Sequence, residues 1–278
     1  MLKKLIKYEW KAVWKIPAVI NIFLIVVALL GIIVLSSPVW ELNSNQFPNI
    51  DFYHSIFLMF YMLSMCIGSV AIYVFLATRF YQNMYCNEGY LTHTLPVTPR
   101  QLLLAKLFVG SVWVFINLIV VLASMFSLFV FDIKLYSSNT PFLSDFQENL
   151  LTNFNIRFPT FCILMLLCAI ISTINALLMI YSSISLGQLM TKHKLMGSFL
   201  FYFLEYSIIQ IISLIGFSVL FFFLKPLLFN TAGEFHPQMI SFHLFTPLIY
   251  GTLILTIVIS FIQYIITEYM IKKKLNLD

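Results

Sequence analysis

The sequence predicts an all-α integral membrane protein: six transmembrane helices, an N-terminal interfacial helix, and a structured cytoplasmic segment between spans two and three. Three observations carry this. Of the 278 residues, 61% are apolar and only 10% are charged, and the mean hydropathy is +0.95. A soluble domain is about half apolar and about a quarter charged, so this chain has too few charges to cover a soluble surface. Its charges stand apart, leaving six long uncharged or nearly uncharged stretches. Lys and Arg fall overwhelmingly on one side of those stretches. The net charge of +5 is therefore read by position rather than by sum, and no nucleic-acid partner is expected.

The gaps set the spans. Residues 16–40, 52–78, 107–131 and 158–191 contain no charge; 195–224 contains only Glu205, and 235–267 contains none. A spanning helix needs roughly 20 apolar residues, so each gap holds one span. The spans are expected at about 17–36, 53–78, 107–131, 159–186, 197–224 and 246–269. The runs are continuously apolar and do not alternate, which argues against barrel strands. With six spans the termini share a side. That side carries 13 Lys and Arg residues; the other carries three, Lys134, Arg157 and Lys225. The positive-inside rule makes the termini cytoplasmic, and a multi-pass protein of the cell membrane follows. The first apolar run is longer than a signal-peptide core and no A-x-A site follows it, so it reads as a retained span. Cys66, Cys86, Cys162 and Cys168 form no CxxC pair and suggest neither a disulfide framework nor zinc.

Residues 1–16 form the first element. Leu2, Leu5, Ile6, Trp10, Val13 and Trp14 recur at helical spacing, while Lys3, Lys7, Lys11 and Lys15 repeat on another face. Such a helix lies in the interface, with Trp10 and Trp14 at headgroup level and lysines toward anionic lipid. The plainer reading is a topology signal with incidental amphipathicity. Pro17 marks the break before span one.

The segment 79–106 reads RFYQNMYCNEGYLTHTLPVTPRQLLLAK. Helix two is expected to run past Arg79 to about Asn87, where Gly89 ends it. Tyr90 to Leu95 places aromatic and aliphatic residues in water until Pro96 stops the element. Thr98-Pro99-Arg100-Gln101 reads as an N-cap, a proline at the first helical position and a glutamine at the third, opening the next helix. Arg100 has the wrong sign for that helix's dipole. It is expected to find an anion outside the chain, a lipid phosphate or an acid of a partner, or to snorkel at the headgroups. Exposed Tyr90, Leu91 and Leu95 beside Glu88 suggest docking of a cytoplasmic partner; packing on the chain's own bundle is the other reading. The second cytoplasmic loop, Gly187 to Leu195, is short. Parts of the outer segment 225–245 either re-enter the outer membrane surface or form a plain loop.

Several chemistries lack their residues. The glycines stand too far apart for a Walker loop, so no ATP site is expected in this chain. There is no HExxH, and the five histidines are scattered. Neither a paired intramembrane aspartate nor a ladder of buried charges exists, which weakens an intramembrane protease and a proton-driven transporter. One acid, Glu205, lies within a span, near mid-bilayer. A carboxylate there should face protein or water. It either lines a translocation pathway or is a hydrogen-bonded structural residue. Gln210 lies deeper in the same span and Asn175 lies in span four. Ser64 and Gly68 form a small-xxx-small step in span two.

Taken together, a basic interfacial helix, six spans, the loop NEGYLTHTLPVTPRQLLLAK and the ending ITEYMIKKKLNLD resemble a permease of the type-2 ABC transporter superfamily (ABC-2), in the group common in Gram-positive bacteria. The resemblance covers the whole topology. It departs at Asn87, where an acid is common, and at His93 and Pro99. The resemblance implies that the chain is a transmembrane permease subunit of an ATP-binding-cassette exporter and not itself an enzyme. Two such chains, alike or different, would form a pathway, each docking a separate ATPase subunit that binds ATP and Mg. The coupling helix would span about Asn87 to Leu95, with Glu88, Gly89, Tyr90, Leu91, Thr92, His93 and Thr94 as the ATPase-coupling residues. The short second loop would be a minor contact and residues 1–16 the connecting helix. No cofactor or metal is expected in the chain. The expected cargo is an amphiphile such as an antibiotic, antimicrobial peptide or lipid. The alternative is a non-transporting membrane scaffold or sensor subunit that docks a cytoplasmic partner.

Overall fold

A computed structural model describes residues 2–35, 50–86, 88–89, 96–136, 146–148, 150–152, 156–190, 192–228 and 237–273. Among these, seven helices have twelve or more residues, and there is no strand. They are α1 (Leu2–Val13), α2 (Lys15–Leu35), α3 (Ile50–Tyr85), α4 (Pro99–Tyr136), α5 (Phe158–Gly187), α6 (Lys194–Leu228) and α7 (Pro237–Lys273). Six of them, α2 to α7, are long and apolar enough to cross a membrane. The protein is all-α and multi-pass, as composition and charge spacing required.

The helix bounds carry local signals. Val13 ends α1, and α2 starts at Lys15, so Pro17 falls in the first turn of α2, where its missing N–H breaks no helical bond. The α3 helix continues past Arg79 to Tyr85, and α4 begins at Pro99 directly after Thr98, the proline-first start expected from sequence. Only residues 86–98 therefore separate these two helices. Gly89 donates its backbone N–H to the Cys86 carbonyl, 2.6 Å away.

On the opposite side the helices overrun their predicted ends. Residues 237–245, expected as a re-entrant or plain loop, continue into span six as one helix with Pro247 inside it. At about 1.5 Å per residue, α3, α4 and α7 each exceed the ~30 Å hydrocarbon thickness by several turns. Uninterrupted helix satisfies its backbone internally, so polar flanks such as His243 can prolong a span without ending it. Residues 229–236 of the outer segment lie outside the described set.

The helices divide into two units, residues 1–80 with 101–140 and residues 81–100 with 141–278. In the first, the core gathers Leu24, Leu35, Tyr61, Met65 and Leu128 from α2, α3 and α4. Two glycines bring α2 and α3 together. A Cβ on Gly68 would stand 2.5 Å from Leu24 Cδ2, and one on Gly31 would enter the Tyr61 ring. The small-residue step thus works through Gly68, while the Ser64 hydroxyl donates within its own helix to the Tyr61 carbonyl at 2.7 Å. Buried Asn117 donates to Asn21 across α4 and α2 at 3.3 Å, and Asn21 donates to the Pro17 carbonyl at 2.8 Å.

In the second unit α5 packs against both α6 and α7, and α6 packs against α7. The α5–α6 turn is tight because Gly187 lies against the Ser198 backbone, its absent Cβ leaving 2.6 Å to the Ser198 nitrogen. The lower half of α5 is the best-buried stretch of the unit, including Leu177, Tyr181 and Ser182 to Ser185.

Candidate functional site

A polar cluster in the interior of the spans is assembled where α5, α6 and α7 meet. Glu205 of α6 accepts a hydrogen bond from the Ser182 hydroxyl, whose oxygen lies 2.8 and 2.7 Å from the two carboxylate oxygens. A hydroxyl has one proton, so Ser182 serves one oxygen at a time. The Met179 carbonyl, at 3.1 Å, is its third acceptor. Gln263 of α7 donates from Nε2 to Glu205 Oε2 at 3.2 Å. Asn175 of α5 donates to Gln263 Oε1 at 3.4 Å and to Ser260 Oγ at 2.9 Å. Ser260 in turn donates to the Thr256 carbonyl at 2.7 Å.

Ser182 and Gln263 are buried, and Glu205 is half-buried. Among the described residues no cation pairs with Glu205. The cluster therefore has a carboxylate stabilised by two donors and no counter-ion. Such a group can hold a proton, or receive a cationic or hydrogen-bond-donating head. Glu205 meets protein rather than lipid, as its position in a span demanded. Its partner Ser182 lies about one and a half turns from the end of α5. Gln210, further along α6, is exposed and outside this cluster.

Serine chemistry at this depth follows from the helix itself. Ser182, Ser183 and Ser185 each reach a carbonyl three or four residues back, at 3.1, 2.8 and 2.7 Å. That lets hydroxyls stand in an apolar span with their protons satisfied. Their oxygens remain acceptors, and Ser185 uses its own to receive the buried Tyr85 hydroxyl at 2.8 Å.

The predicted coupling residues are only partly described. Glu88 is exposed and Gly89 is buried; Asn87, Tyr90, Leu91, Thr92, His93 and Thr94 lie outside the described residues. The flanks are clear. Tyr85, at the end of α3, is bonded to Ser185 of α5. Arg100, in the first turn of α4, pairs with Glu268 of α7. This corrects the expectation that Arg100 finds its anion outside the chain. The unfavourable helix-dipole position is answered by an acid 168 residues away, which no local pattern indicates. Trp10 and Trp14, expected at headgroup level, are 37% and 45% exposed.

Sequence reasoning named Glu205 and Asn175 but missed Ser182, Ser260, Gln263 and Glu9. A Ser in an apolar run carries no signal of its own. Glu9 did carry one: it is the single acid of a basic helix, and it lies on the face of Leu5, Ile6 and Val13. Comparison of the chain with known protein families, curated proteins and solved structures returned no match.

Proposed function

We propose that the chain is the transmembrane permease subunit of an ATP-driven exporter in the cell membrane, with both termini in the cytoplasm. Two such chains, identical or related, enclose the pathway. Separate ATPase subunits bind ATP and Mg and dock on residues 88–94. The observation that carries the reading is the Glu205 cluster. An unneutralised carboxylate and four neutral polar side chains are gathered inside an otherwise apolar bundle, where a purely structural core would be better served by apolar packing. The docking loop's resemblance to ABC-2 permeases and the lack of a Walker loop support a separate motor. The carboxylate suits an amphiphile with a cationic or hydrogen-bond-donating head.

The test is reconstitution of the chain with the ATPase encoded beside it. Glu88→Ala should reduce ATPase copurification or uncouple cargo-stimulated hydrolysis. Glu205→Gln should leave basal hydrolysis near wild type and change cargo efflux. A complex that binds the ATPase yet moves no amphiphile would favour the scaffold or sensor reading. Absence of any neighbouring ATPase, with unchanged behaviour of both variants, would remove the transport reading altogether.

A further inference from the structure

We propose that the Glu205 cluster is a subsite for the primary ammonium of a cationic amphiphile, and that it discriminates against guanidinium and quaternary ammonium heads. The site rests on the permease reading and names the head that its cargo carries. All of its residues belong to the second unit.

The hydrogen bonds of the cluster run in one direction. Ser260 donates its single proton to the Thr256 carbonyl at 2.7 Å, so toward Asn175 it can only accept. Asn175 therefore gives both amide protons, one to Ser260 at 2.9 Å and one to Gln263 Oε1 at 3.4 Å. With its oxygen held by Asn175, Gln263 turns Nε2 to Glu205 Oε2 at 3.2 Å. Asn175 is thus a positioning residue that orients the amide facing the carboxylate. The protons of Ser182, Ser260 and Asn175 are all engaged, and Gln263 keeps one N–H in reserve. The rest of the unused capacity belongs to acceptors, namely Asn175 Oδ1 and the remaining lone pairs of the carboxylate. Among the described residues, neither a cation nor a donor besides Ser182 and Gln263 reaches Glu205. A half-buried carboxylate with acceptors to spare calls for a donor that carries positive charge.

Ser182 selects among cations. Its Oγ lies 2.8 Å from one carboxylate oxygen and 2.7 Å from the other, so it sits between them at the outer end of the group. From that place a guanidinium fork would reach both oxygens at once. The serine oxygen occupies it, which confines a guanidinium to one oxygen. An ammonium is a compact point charge with three rotatable donors, and it needs only one oxygen to bind. Quaternary heads have no N–H and are held by aromatic faces, whereas this cluster consists of a carboxylate, two amides and two hydroxyls. Tyr202 and Ile208, about one turn before and after Glu205 on α6, are exposed and offer apolar surface to the chain that carries the ammonium.

Full-length protein in maltoside micelles at neutral pH would be titrated with decylammonium, decylguanidinium and decyltrimethylammonium, and bound molecules counted by native mass spectrometry. Wild type should bind one decylammonium about tenfold more tightly than either of the others, the scale of one charge-assisted hydrogen bond. Glu205→Gln should weaken decylammonium about tenfold and abolish the preference. Ser182→Ala opens the outer end of the carboxylate and should bring decylguanidinium level with decylammonium; it tests the selection even where Glu205→Gln does not fold. Gln210→Leu, on the same helix but outside the cluster, should leave all three affinities as in wild type. Equal decylammonium binding by wild type and Glu205→Gln would overturn the site. So would decyltrimethylammonium bound as tightly as decylammonium, which indicates diffuse attraction of charge. An unchanged preference in Ser182→Ala would overturn the selection by Ser182. Displacement of decylammonium by an equal concentration of short-chain phosphatidylethanolamine would make a lipid headgroup the occupant and overturn its assignment to cargo. No ATPase enters this measurement, so the site can fail while the complex still exports amphiphiles, and export can fail while the site still binds its ammonium.

Discussion

Replacing Glu205 by Leu and by Gln should separate sharply in stability, because the two changes treat its donors differently. In Glu205→Gln the side-chain oxygen remains, and one amide oxygen can accept from both Ser182 and Gln263. The expected loss is under about 1 kcal/mol. In Glu205→Leu both donors lose their acceptor, but not equally. Ser182 falls back on the Met179 carbonyl at 3.1 Å. Gln263 has no such recourse: its oxygen stays with Asn175, while its Nε2 is left in a buried place. A stranded buried donor costs about 1–3 kcal/mol, and side-chain hydrogen bonds between membrane helices average about 0.6 and reach about 1.7 kcal/mol. The expected loss for Leu is therefore about 1–2 kcal/mol. Adding Gln263→Leu should restore part of it, since Asn175 keeps Ser260 at 2.9 Å, giving a favourable coupling of about 1 kcal/mol in a double-mutant cycle. Reversible unfolding of the detergent-solubilised chain, read by circular dichroism, would supply the four free energies. Strict additivity, or a Leu variant more stable than wild type, would refute the reasoning that Glu205 is a satisfied acceptor in this network.

Three further outcomes are expected. Gly187→Ala should lose about 1–3 kcal/mol, because the new Cβ meets Ser198 backbone atoms at 2.6 and 2.8 Å that cannot yield. Gly216→Ala in α6, with open space around it, should be neutral or gain up to about 1 kcal/mol from helix propensity; thermal unfolding of the two side by side checks the contrast. Tyr85→Phe should lose about 1 kcal/mol in the same assay, since the bond to Ser185 disappears while Ser185 keeps its Tyr181 carbonyl as acceptor. Reversing Arg100 to Glu should lower folded yield or thermal stability in low salt, and the swap Arg100→Glu with Glu268→Arg should recover it. Equal behaviour of single and swapped variants would remove the ion pair as a contributor.

Number and order of the spans were legible in the sequence because a bilayer imposes a one-dimensional constraint of about 20 residues without charge, whereas the helices run on past the ends that the charges marked. Thr98-Pro99 marked a helix start through purely local backbone chemistry. The need for Glu205 to meet a polar group also followed from its span alone. What met it did not. Ser182, Gln263 and Ser260 are unremarkable in their own runs, and they become a cluster only when α5, α6 and α7 pack at one particular rotation. Glu268 as the partner of Arg100, and Glu9 as the shared anchor of Arg79 and Lys106, are likewise products of helix packing between residues 70 to 168 positions apart. In lipid every outward face is apolar, so hydropathy cannot tell which side of a helix turns inward. Tertiary packing made that choice, and the polar contacts record it.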